Sequence, residues 1–375
     1  MQKEFFGKNS IEKLKEILEI ETFSKIFLVT GKNSYSISGA KEKINYLLSK
    51  FEVIHFTDFE NNPKLEDIKK GIKLFKENNC DLTITIGGGS PIDVAKSINI
   101  LSVNKESPDE YIQSKKKLKV QGKKVIAIPT TAGSGSESTH FAVIYINKIK
   151  YSLSHESMLP NYSIVDPSLT LSLSKYQTAC TGMDALSQAI ESFWSTKSTE
   201  ESREYSKEAI KLALESLEGA TNSPTKENKE NMAKASHLAG KAINISKTTA
   251  CHSISYPITS HFNVPHGHAV ALTLGEMLVL NSKVSDENIQ DTRGIDYVKS
   301  IIEEINILLG TNSPEESKNK IKELIKNIGL KTKLSELKIN DIELIIKGGF
   351  NPERVKNNPV KLREEELREI LREIS

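Results

Sequence analysis

The sequence predicts an α/β N-terminal domain built on a parallel sheet, followed by an all-α C-terminal domain. In the first half of the 375 residues, short apolar segments alternate with charged amphipathic ones, as in sheets covered by helices on both faces. From about Leu173 onward the strand pattern stops, and apolar residues recur at helical spacing. We therefore place the domains at 1–168 and 169–375, since a chain of this length favours two domains.

Each element of the first half is predicted from its own residues. Runs rich in β-branched residues predict strands, and the charged periodic segments between them predict helices. The predicted strands are 25–30, 52–56, 82–86, 124–128, 142–146 and 163–165. The predicted helices are 10–18, 39–49, 65–78 and 91–101.

Composition excludes several classes of function. Lys and Arg number 51 against 49 Asp and Glu, so the net charge of +2 gives no reason to expect nucleic acid or a membrane surface as partner. No segment approaches the ~20 apolar residues of a membrane span, and the N-terminus carries no apolar signal core. Three scattered cysteines without CxxC spacing favour a reduced, cytoplasmic compartment.

A glycine-rich loop follows the predicted strand at 82–86 and opens the next helix. Three successive glycines let the backbone approach a ligand, while a serine can cap the helix and a proline suits its first turn. Free N–H groups and the helix dipole bind anions at such a place. The residues concerned are Gly87, Gly88, Gly89, Ser90 and Pro91. Taken alone, this loop is equally consistent with a tight turn.

A second loop of small residues, PTTAGSGSE at 129–137, follows the predicted strand at 124–128. Thr130, Thr131 and Ser134 offer hydroxyls there, and the glycines keep the backbone accessible. Two such loops at the carboxyl ends of parallel strands mark the place where open α/β sheets bind nucleotides. Together they favour a pyrophosphate site in a Rossmann-like dinucleotide-binding domain.

Four residues of the second half form a candidate metal site. Asp184 and Gln188 are four apart and lie on one face of a predicted helix. His252 and His266 flank a turn-prone segment that contains Pro257. A carboxylate, an amide oxygen and two imidazoles suit a divalent metal. The alternative is that Gln188 only forms hydrogen bonds and the metal has three protein ligands.

These motifs resemble the iron-dependent (group III) alcohol dehydrogenase family. The resemblance covers most of the chain and is carried by five motifs in the expected order: GGGSPIDVAK at 87–96, PTTAGSGSE at 129–137, DP at 166–167, GMDAL at 182–186 and PHG at 265–267. It implies a metal-dependent NAD(P)H oxidoreductase that interconverts aldehydes and primary alcohols. It also implies a metal and a nicotinamide that meet between the two domains, and a homo-oligomer. Fe²⁺ is the expected metal, with Zn²⁺ or Mn²⁺ as alternatives.

The resemblance also assigns roles to individual positions. Asp184, His252 and His266 match metal ligands of the family. The glycine loop with Asp93, and the second loop with Thr130, Thr131 and Ser134, match the cofactor-binding side, and Lys150 matches a position near the nicotinamide and ribose.

The chain departs from the family pattern at three positions. Gln188 stands where a histidine ligand is usual, and Tyr256 stands where the family often has another histidine. Tyr256 is therefore a candidate proton donor, although packing against Pro257 is the alternative. Gly31, followed by Lys32, replaces the aspartate that binds the adenosine ribose in many NAD-dependent members, which favours NADPH or use of both cofactors.

Within the family, the segments 184–195 and 241–274 resemble the phosphonoacetaldehyde reductases, which form 2-hydroxyethylphosphonate. Lys241, Lys247 and Thr248 precede His252 and are candidate ligands for a phosphonate, with Lys241 and Thr248 on related helical faces. Arg354 is a further cation. Each cation alone is also consistent with a solvated surface charge.

Two alternative functions remain. A general short-chain alcohol or diol dehydrogenase of the same family would need no anion-binding group. A nucleotide- and metal-binding protein without turnover would follow if Gln188 abolished catalysis.

Overall fold

The computed structural model describes residues 2–375, with the backbone alone described for Pro352 and Glu353. The chain divides into two compact units, one ending at Leu173 and the other formed by Ser174–Ser375. Among the described residues, no helix is long and apolar enough to cross a membrane.

The first unit is built on a six-stranded parallel sheet with the order β1-β8-β5-β4-β2-β3. The eight strands of the unit are β1 Lys3–Phe6, β2 Lys25–Thr30, β3 Glu52–Phe56, β4 Leu82–Gly87, β5 Lys124–Pro129, β6 Phe141–Ile146, β7 Ile149–Ser154 and β8 Tyr162–Val165. Its helices are α1 Lys13–Ile20, α2 Ser34–Ile37, α3 Ala40–Leu48, α4 Leu65–Glu77, α5 Gly89–Val103 and α6 Pro108–Ile112.

Alternating residues of the strands build two cores, one on each face of this sheet. In β2, Phe27 and Val29 join the cluster formed with α4 and α5, whereas Ile26 and Leu28 join the cluster formed with α1 and α3. The central strands are apolar at successive positions because both faces are covered. The predicted α/β fold with a parallel sheet is therefore confirmed.

Strand β6 differs from the prediction. The segment 142–146 pairs antiparallel with β7 in a separate hairpin and is not a strand of the parallel sheet. Its apolar run resembles that of a buried parallel strand because it packs against the core beside α5, where Ala142 and Ile144 are fully buried. Strands β1 and β7 were not predicted.

The second unit is helical in all its described elements, as predicted. Its helices are α7 Lys175–Trp194, α8 Glu200–Asn222, α9 Lys226–Ser246, α10 Ala250–Phe262, α11 His266–Ser282, α12 Ile295–Leu309, α13 Pro314–Asn327, α14 Ile342–Gly349, α15 Pro352–Val355 and α16 Glu364–Glu373. Ser174 begins α7 with a capping box, in which its hydroxyl accepts from the Gln177 N–H and the Gln177 side chain accepts from the Ser174 N–H. Pro257 lies inside α10, so the turn between the histidines is shorter than predicted and begins at Asn263.

Candidate active site

The two small-residue loops of the first unit lie side by side at the carboxyl ends of β4 and β5. The Thr130 N–H donates to the Gly87 carbonyl at 2.9 Å. A Cβ atom added at Gly89 would lie 2.8 Å from the Ser134 hydroxyl oxygen, so a larger residue there would push the loops apart. Gly87 has a φ of 156°, which disfavours other residues. The structure thus brings together the glycines and hydroxyls predicted to hold a pyrophosphate.

Helix α5 begins two residues earlier than predicted. Its first residue is Gly89 and its N-cap is Gly88, so Ser90 and Pro91 lie within the first turn and Ser90 is not the cap. The N–H groups at this end belong to a 15-residue helix that begins at the glycine loop. An anion bound there would meet both the free N–H groups and the positive end of the dipole.

Asp93 and Lys96, both on α5, hold the second loop in place through buried hydrogen bonds. The Asp93 carboxylate accepts from the Ser136 hydroxyl and from the Val143 N–H, both at 2.9 Å. The ammonium of Lys96 is fully buried and donates to the carbonyls of Ser136, Thr139 and Phe141. Burial raises the pKa of Asp93 and lowers that of Lys96, while the charge of each opposes the shift of the other. Asp93, which is predicted to bind the cofactor, thus also holds the second loop in place. Lys96 is a residue that the sequence analysis missed.

Two predicted cofactor residues remain: Gly31, whose nitrogen lies 3.5 Å from a Cβ atom added at Gly87, and Lys150 on β7. Gly31 directly follows β2, and a Cβ atom there would lie 2.3 Å from the Ser34 hydroxyl oxygen. Lys150 lies on β7 opposite Tyr145, and its charge contributes to lowering the pKa of Asp93 against the effect of burial. Lys150 therefore lies on the hairpin that Asp93 anchors.

The predicted metal ligands come together within the second unit. Asp184 and Gln188 lie one turn apart on α7, His252 lies in the first turn of α10, and His266 is the first residue of α11. The Nε2 atoms of His252 and His266 lie 3.6 Å and 3.9 Å from Oδ1 of Asp184. One ligand atom from each of these three residues lies within 4.8 Å of the others.

Close packing of α11 against α7 produces this convergence. A Cβ atom at Gly267 would lie 1.9 Å from the Cys180 carbonyl oxygen and 2.8 Å from Cβ of Asp184. Only glycine permits this approach, because the obstructing carbonyl belongs to the backbone of α7. The PHG motif therefore places His266 beside Asp184.

The donor set fits a divalent metal. Oε1 of Gln188 and Nε2 of His252 are buried and form no hydrogen bond with the described protein. Buried polar atoms without a partner are costly unless a ligand satisfies them. Carboxylate, imidazole and amide donors suit Fe²⁺, Zn²⁺ or Mn²⁺. Asp184, His252 and His266 would hold the ion, and the amide oxygen of Gln188 would be a fourth, weaker ligand atom.

A buried carboxylate lies behind His252. Oε2 of Glu191 forms a short hydrogen bond with Nδ1 of His252, and Oε1 accepts from the Thr249 hydroxyl and the Cys251 N–H. Burial alone would raise the pKa of Glu191, but the charge and hydrogen bond of His252 lower it. The sequence analysis missed Glu191, although its position seven residues after Asp184 places it on the same face of α7.

Tyr256 lies between His266, a predicted metal ligand, and the buried cation Arg354. Its ring stacks on His266 with centroids 6.3 Å apart, and its hydroxyl accepts from Nε of Arg354 at 3.2 Å. Arg354 is 7% exposed, so its charge is held inside the protein. The segment around Arg354 is joined to α10, since the Asn351 N–H donates to the Ser253 hydroxyl at 2.7 Å.

The predicted anion-binding residues lie before and within the link between α9 and α10. Lys241 lies on α9 with its ammonium 4.7 Å from the centroid of the Tyr205 ring. Lys247 and Thr248 lie beyond the end of α9, so Thr248 does not share a helical face with Lys241 as predicted. The Thr248 carbonyl accepts from the Asn357 amide at 3.1 Å, which joins this link to the segment that carries Arg354.

Family comparisons agree with this architecture in both units. Residues 2–167 match the family described as iron-containing alcohol dehydrogenase, and residues 178–375 match the C-terminal family of Fe-containing alcohol dehydrogenases. The chain belongs to the iron-containing alcohol dehydrogenase family. It is therefore an NAD(P)-dependent alcohol and aldehyde oxidoreductase, and enzymes of this family use NAD(P)H with a divalent metal, usually iron.

Individual relatives differ in their substrates. The chain is 32% identical to an NADPH-dependent butanol dehydrogenase of Clostridium saccharobutylicum, over 98% of this chain and 94% of the relative. It is 31% identical to a phosphonoacetaldehyde reductase of Streptomyces viridochromogenes, over 79% and 76%. It is also similar to the crystal structure of a sulfoacetaldehyde reductase of Bifidobacterium kashiwanohense in complex with NAD⁺, with 30% identity, a TM-score of 0.87, and coverage of 100% and 96%.

Proposed function

We propose that this enzyme reduces a short aldehyde that carries an anionic group, with phosphonoacetaldehyde as the substrate and 2-hydroxyethylphosphonate as the product. The observation that supports this most strongly is the buried cation Arg354, which is hydrogen-bonded to Tyr256 beside the metal ligand His266. An anionic substrate group would be matched by such a cation, whereas an unsubstituted aldehyde gains nothing from it.

The link between α9 and α10 also supports an anion site. Lys247 has a φ of 65° and a ψ of 170°, which is unusual for a residue with a side chain. Strained residues of this kind are concentrated at functional sites. We therefore assign Lys247, together with Lys241 and Thr248, to recognition of the phosphonate.

Two relatives support the same substrate class. Both the phosphonoacetaldehyde reductase and the sulfoacetaldehyde reductase are named for two-carbon aldehydes with an anionic end. These names alone do not assign the substrate of this chain, because the butanol dehydrogenase has a similar sequence identity to it, 32%.

The roles of the residues follow from this geometry. Asp184, Gln188, His252 and His266 would hold the metal, which when bound polarises the aldehyde carbonyl as a Lewis acid. The hydride comes from the reduced nicotinamide of a cofactor held by the two loops of the first unit. Tyr256 is assigned as the proton donor to the new alcohol, with Arg354 fixing the direction of its hydroxyl.

The test is a comparison of kcat/KM for phosphonoacetaldehyde, sulfoacetaldehyde and acetaldehyde, with NADPH and with NADH. We expect the anionic aldehydes to react much faster, and Lys247→Met to lower kcat/KM roughly 10- to 100-fold for them alone, because a hydrogen bond to a charged group contributes about 1.5–3 kcal/mol. Lys234→Met is the matched control, since Lys234 lies on α9 in a surface pair with Glu208. Equal rates with acetaldehyde would refute the anionic substrate. An equal loss for acetaldehyde in the Lys247 variant, or no loss at all, would refute the role of Lys247.

A general alcohol dehydrogenase is the second candidate. It is favoured by the butanol dehydrogenase, which matches 98% of this chain. In that case butanal and acetaldehyde would be the better substrates, and Lys247→Met would leave their kcat/KM and that of the phosphonate equally unchanged.

A further inference from the structure

Glu191 makes contacts that its position in the helical core does not require. Its side chain is fully buried, and both carboxylate oxygens face residues at the start of α10. Oε1 accepts from the Thr249 hydroxyl at 2.7 Å and from the Cys251 N–H at 2.8 Å. Trp194, one turn further along α7, donates from Nε1 to the same Thr249 hydroxyl at 2.9 Å. The carboxylate thus takes the place of a capping side chain at the N-terminus of α10, where Thr249 makes no cap of its own.

The second oxygen of the same carboxylate faces the ligand histidine. Oε2 of Glu191 lies against Nδ1 of His252, whereas Nε2 of His252 points to Oδ1 of Asp184 at 3.6 Å. A carboxylate cannot donate a hydrogen bond, so the proton of the neutral imidazole must sit on Nδ1. The lone pair is then on Nε2, which is the nitrogen on the side of Asp184 and His266.

We infer that Glu191 is a positioning residue that sets the tautomer of His252 and increases its strength as a metal ligand. This inference rests on the proposed metal role of His252. Carboxylates behind ligating histidines fix the ring orientation and raise the basicity of the metal-facing nitrogen. Here one buried carboxylate does both this and the capping of α10, so the start of the helix and the direction of the ligand are fixed together.

Glu191→Gln separates the capping of α10 from the control of the His252 tautomer, because an amide keeps only one acceptor oxygen. The Cys251 N–H requires an acceptor, so the amide oxygen takes the place of Oε1 and the amide NH₂ faces Nδ1 of His252. Nδ1 must then act as the acceptor, and the imidazole proton moves to Nε2. A metal has to displace that proton before it can bind. In the reverse orientation, the ring keeps its tautomer, but the NH₂ group opposes the Cys251 N–H and the buried negative charge is still lost.

The experiment measures the Zn²⁺ dissociation constant of the metal-stripped, full-length protein by competition with a chromophoric chelator. We expect Glu191→Gln to weaken Zn²⁺ binding about 10- to 100-fold. The matched control is Ser192→Ala, the next residue of α7, which is equally buried and donates no hydrogen bond to α10; its hydroxyl accepts from Ser246 at 2.7 Å. Its Zn²⁺ affinity should equal that of the parent protein, although it also loses a buried hydrogen bond.

The double variant shows whether Glu191 acts through His252. His252→Ala should weaken Zn²⁺ binding, and adding Glu191→Gln to it should cause no further loss. If His252→Ala leaves affinity unchanged, the metal assignment itself is wrong. If His252→Ala weakens binding but Glu191→Gln does not, or if the two losses add, the positioning role of Glu191 is wrong.

A spectroscopic measurement decides the matter even if Glu191→Gln does not fold. In the metal-stripped parent protein labelled with ¹⁵N-histidine, the signals lost in His252→Ala identify this ring. At a pH high enough for the ring to be neutral, we expect a protonated Nδ1 and an unprotonated Nε2. A ring protonated on Nε2 alone would overturn the inference.

Discussion

Replacing Lys96 by methionine tests how far the cofactor loop depends on a single buried cation. Lys96 lies on α5, and its ammonium donates to three backbone carbonyls of the segment that follows Gly135, at 2.9 Å from Ser136, 3.1 Å from Thr139 and 2.5 Å from Phe141. It also lies 3.6 Å from the buried carboxylate of Asp93. Methionine keeps the length of the side chain and removes all of these interactions.

The loss of stability in Lys96→Met follows from the Asp93 carboxylate, which stays buried without its cation. Removing one partner of a buried ion pair costs about 3–5 kcal/mol, because the other charge stays buried without compensation. For a domain of 150–250 residues, each kcal/mol lowers the Tm by about 2–4 °C, so Lys96→Met should lower the unfolding temperature of the first unit by roughly 6–20 °C. Affinity for NADPH should fall as well, because Thr130, Thr131 and Ser134 lie on the loop that Lys96 secures.

The assay is scanning calorimetry with and without NADPH, together with fluorescence titration of the cofactor. The double variant Asp93→Asn, Lys96→Met should be more stable than Lys96→Met alone, because Asp93→Asn removes the carboxylate that has lost its buried cation. Lys73→Met is the control, because Lys73 forms an exposed pair with Glu77 on α4 and such pairs contribute at most ~1 kcal/mol. A Tm loss below about 3 °C for Lys96→Met, or unchanged NADPH affinity, would refute this reasoning.

Three further outcomes are expected. Gln188→His should raise Zn²⁺ affinity about tenfold or more, because imidazole is a stronger ligand than an amide oxygen; unchanged affinity would show that position 188 does not contact the metal. Gly31→Asp, combined with Ser34→Ala to clear the 2.3 Å contact, should shift the ratio of kcat/KM from NADPH towards NADH, because a carboxylate repels a 2′-phosphate; a constant ratio contradicts this. The three buried thiols should react slowly with a thiol reagent at pH 8 and rapidly in guanidinium, because burial raises the pKa of Cys80 to about 11 and that of Cys180 to about 12, which leaves ~0.1% thiolate or less; fast reaction of the folded protein would contradict it.

The parallel sheet was predictable because its signal is local. Apolar strands with charged helices between them are sufficient to indicate both the class of fold and most element positions. The hairpin of β6 and β7 was not predictable, since the run FAVIYI is as apolar as a parallel strand and its partner IKYSLS is half polar. Strand β1 was missed for a related reason: it is short, charged and largely exposed at the edge of the sheet.

In the candidate site too, the features that follow from local sequence spacing were predictable, and those that depend on distant residues were not. Asp184 and Gln188 were predictable as a pair because helical spacing places them on one face. The contacts that surround the ligands join residues far apart in sequence, such as Glu191 with His252, and Arg354 with Tyr256. No spacing rule indicates such partners, because they follow from the packing of α7, α10 and the segment after α14.

The glutamine at position 188 and the carboxylate at position 191 both affect how strongly the proposed site would bind a metal. Glutamine and neutral histidine carry the same charge, so the chain keeps the charge balance of the site while it loses donor strength at one position. Glu191 acts on donor strength as well, since a buried carboxylate behind His252 makes Nε2 more basic. Asp184, His252 and His266 would therefore be the main ligands of the metal, and Gln188 would be its weakest ligand. A site of this kind keeps the metal bound while leaving room for the substrate to approach it.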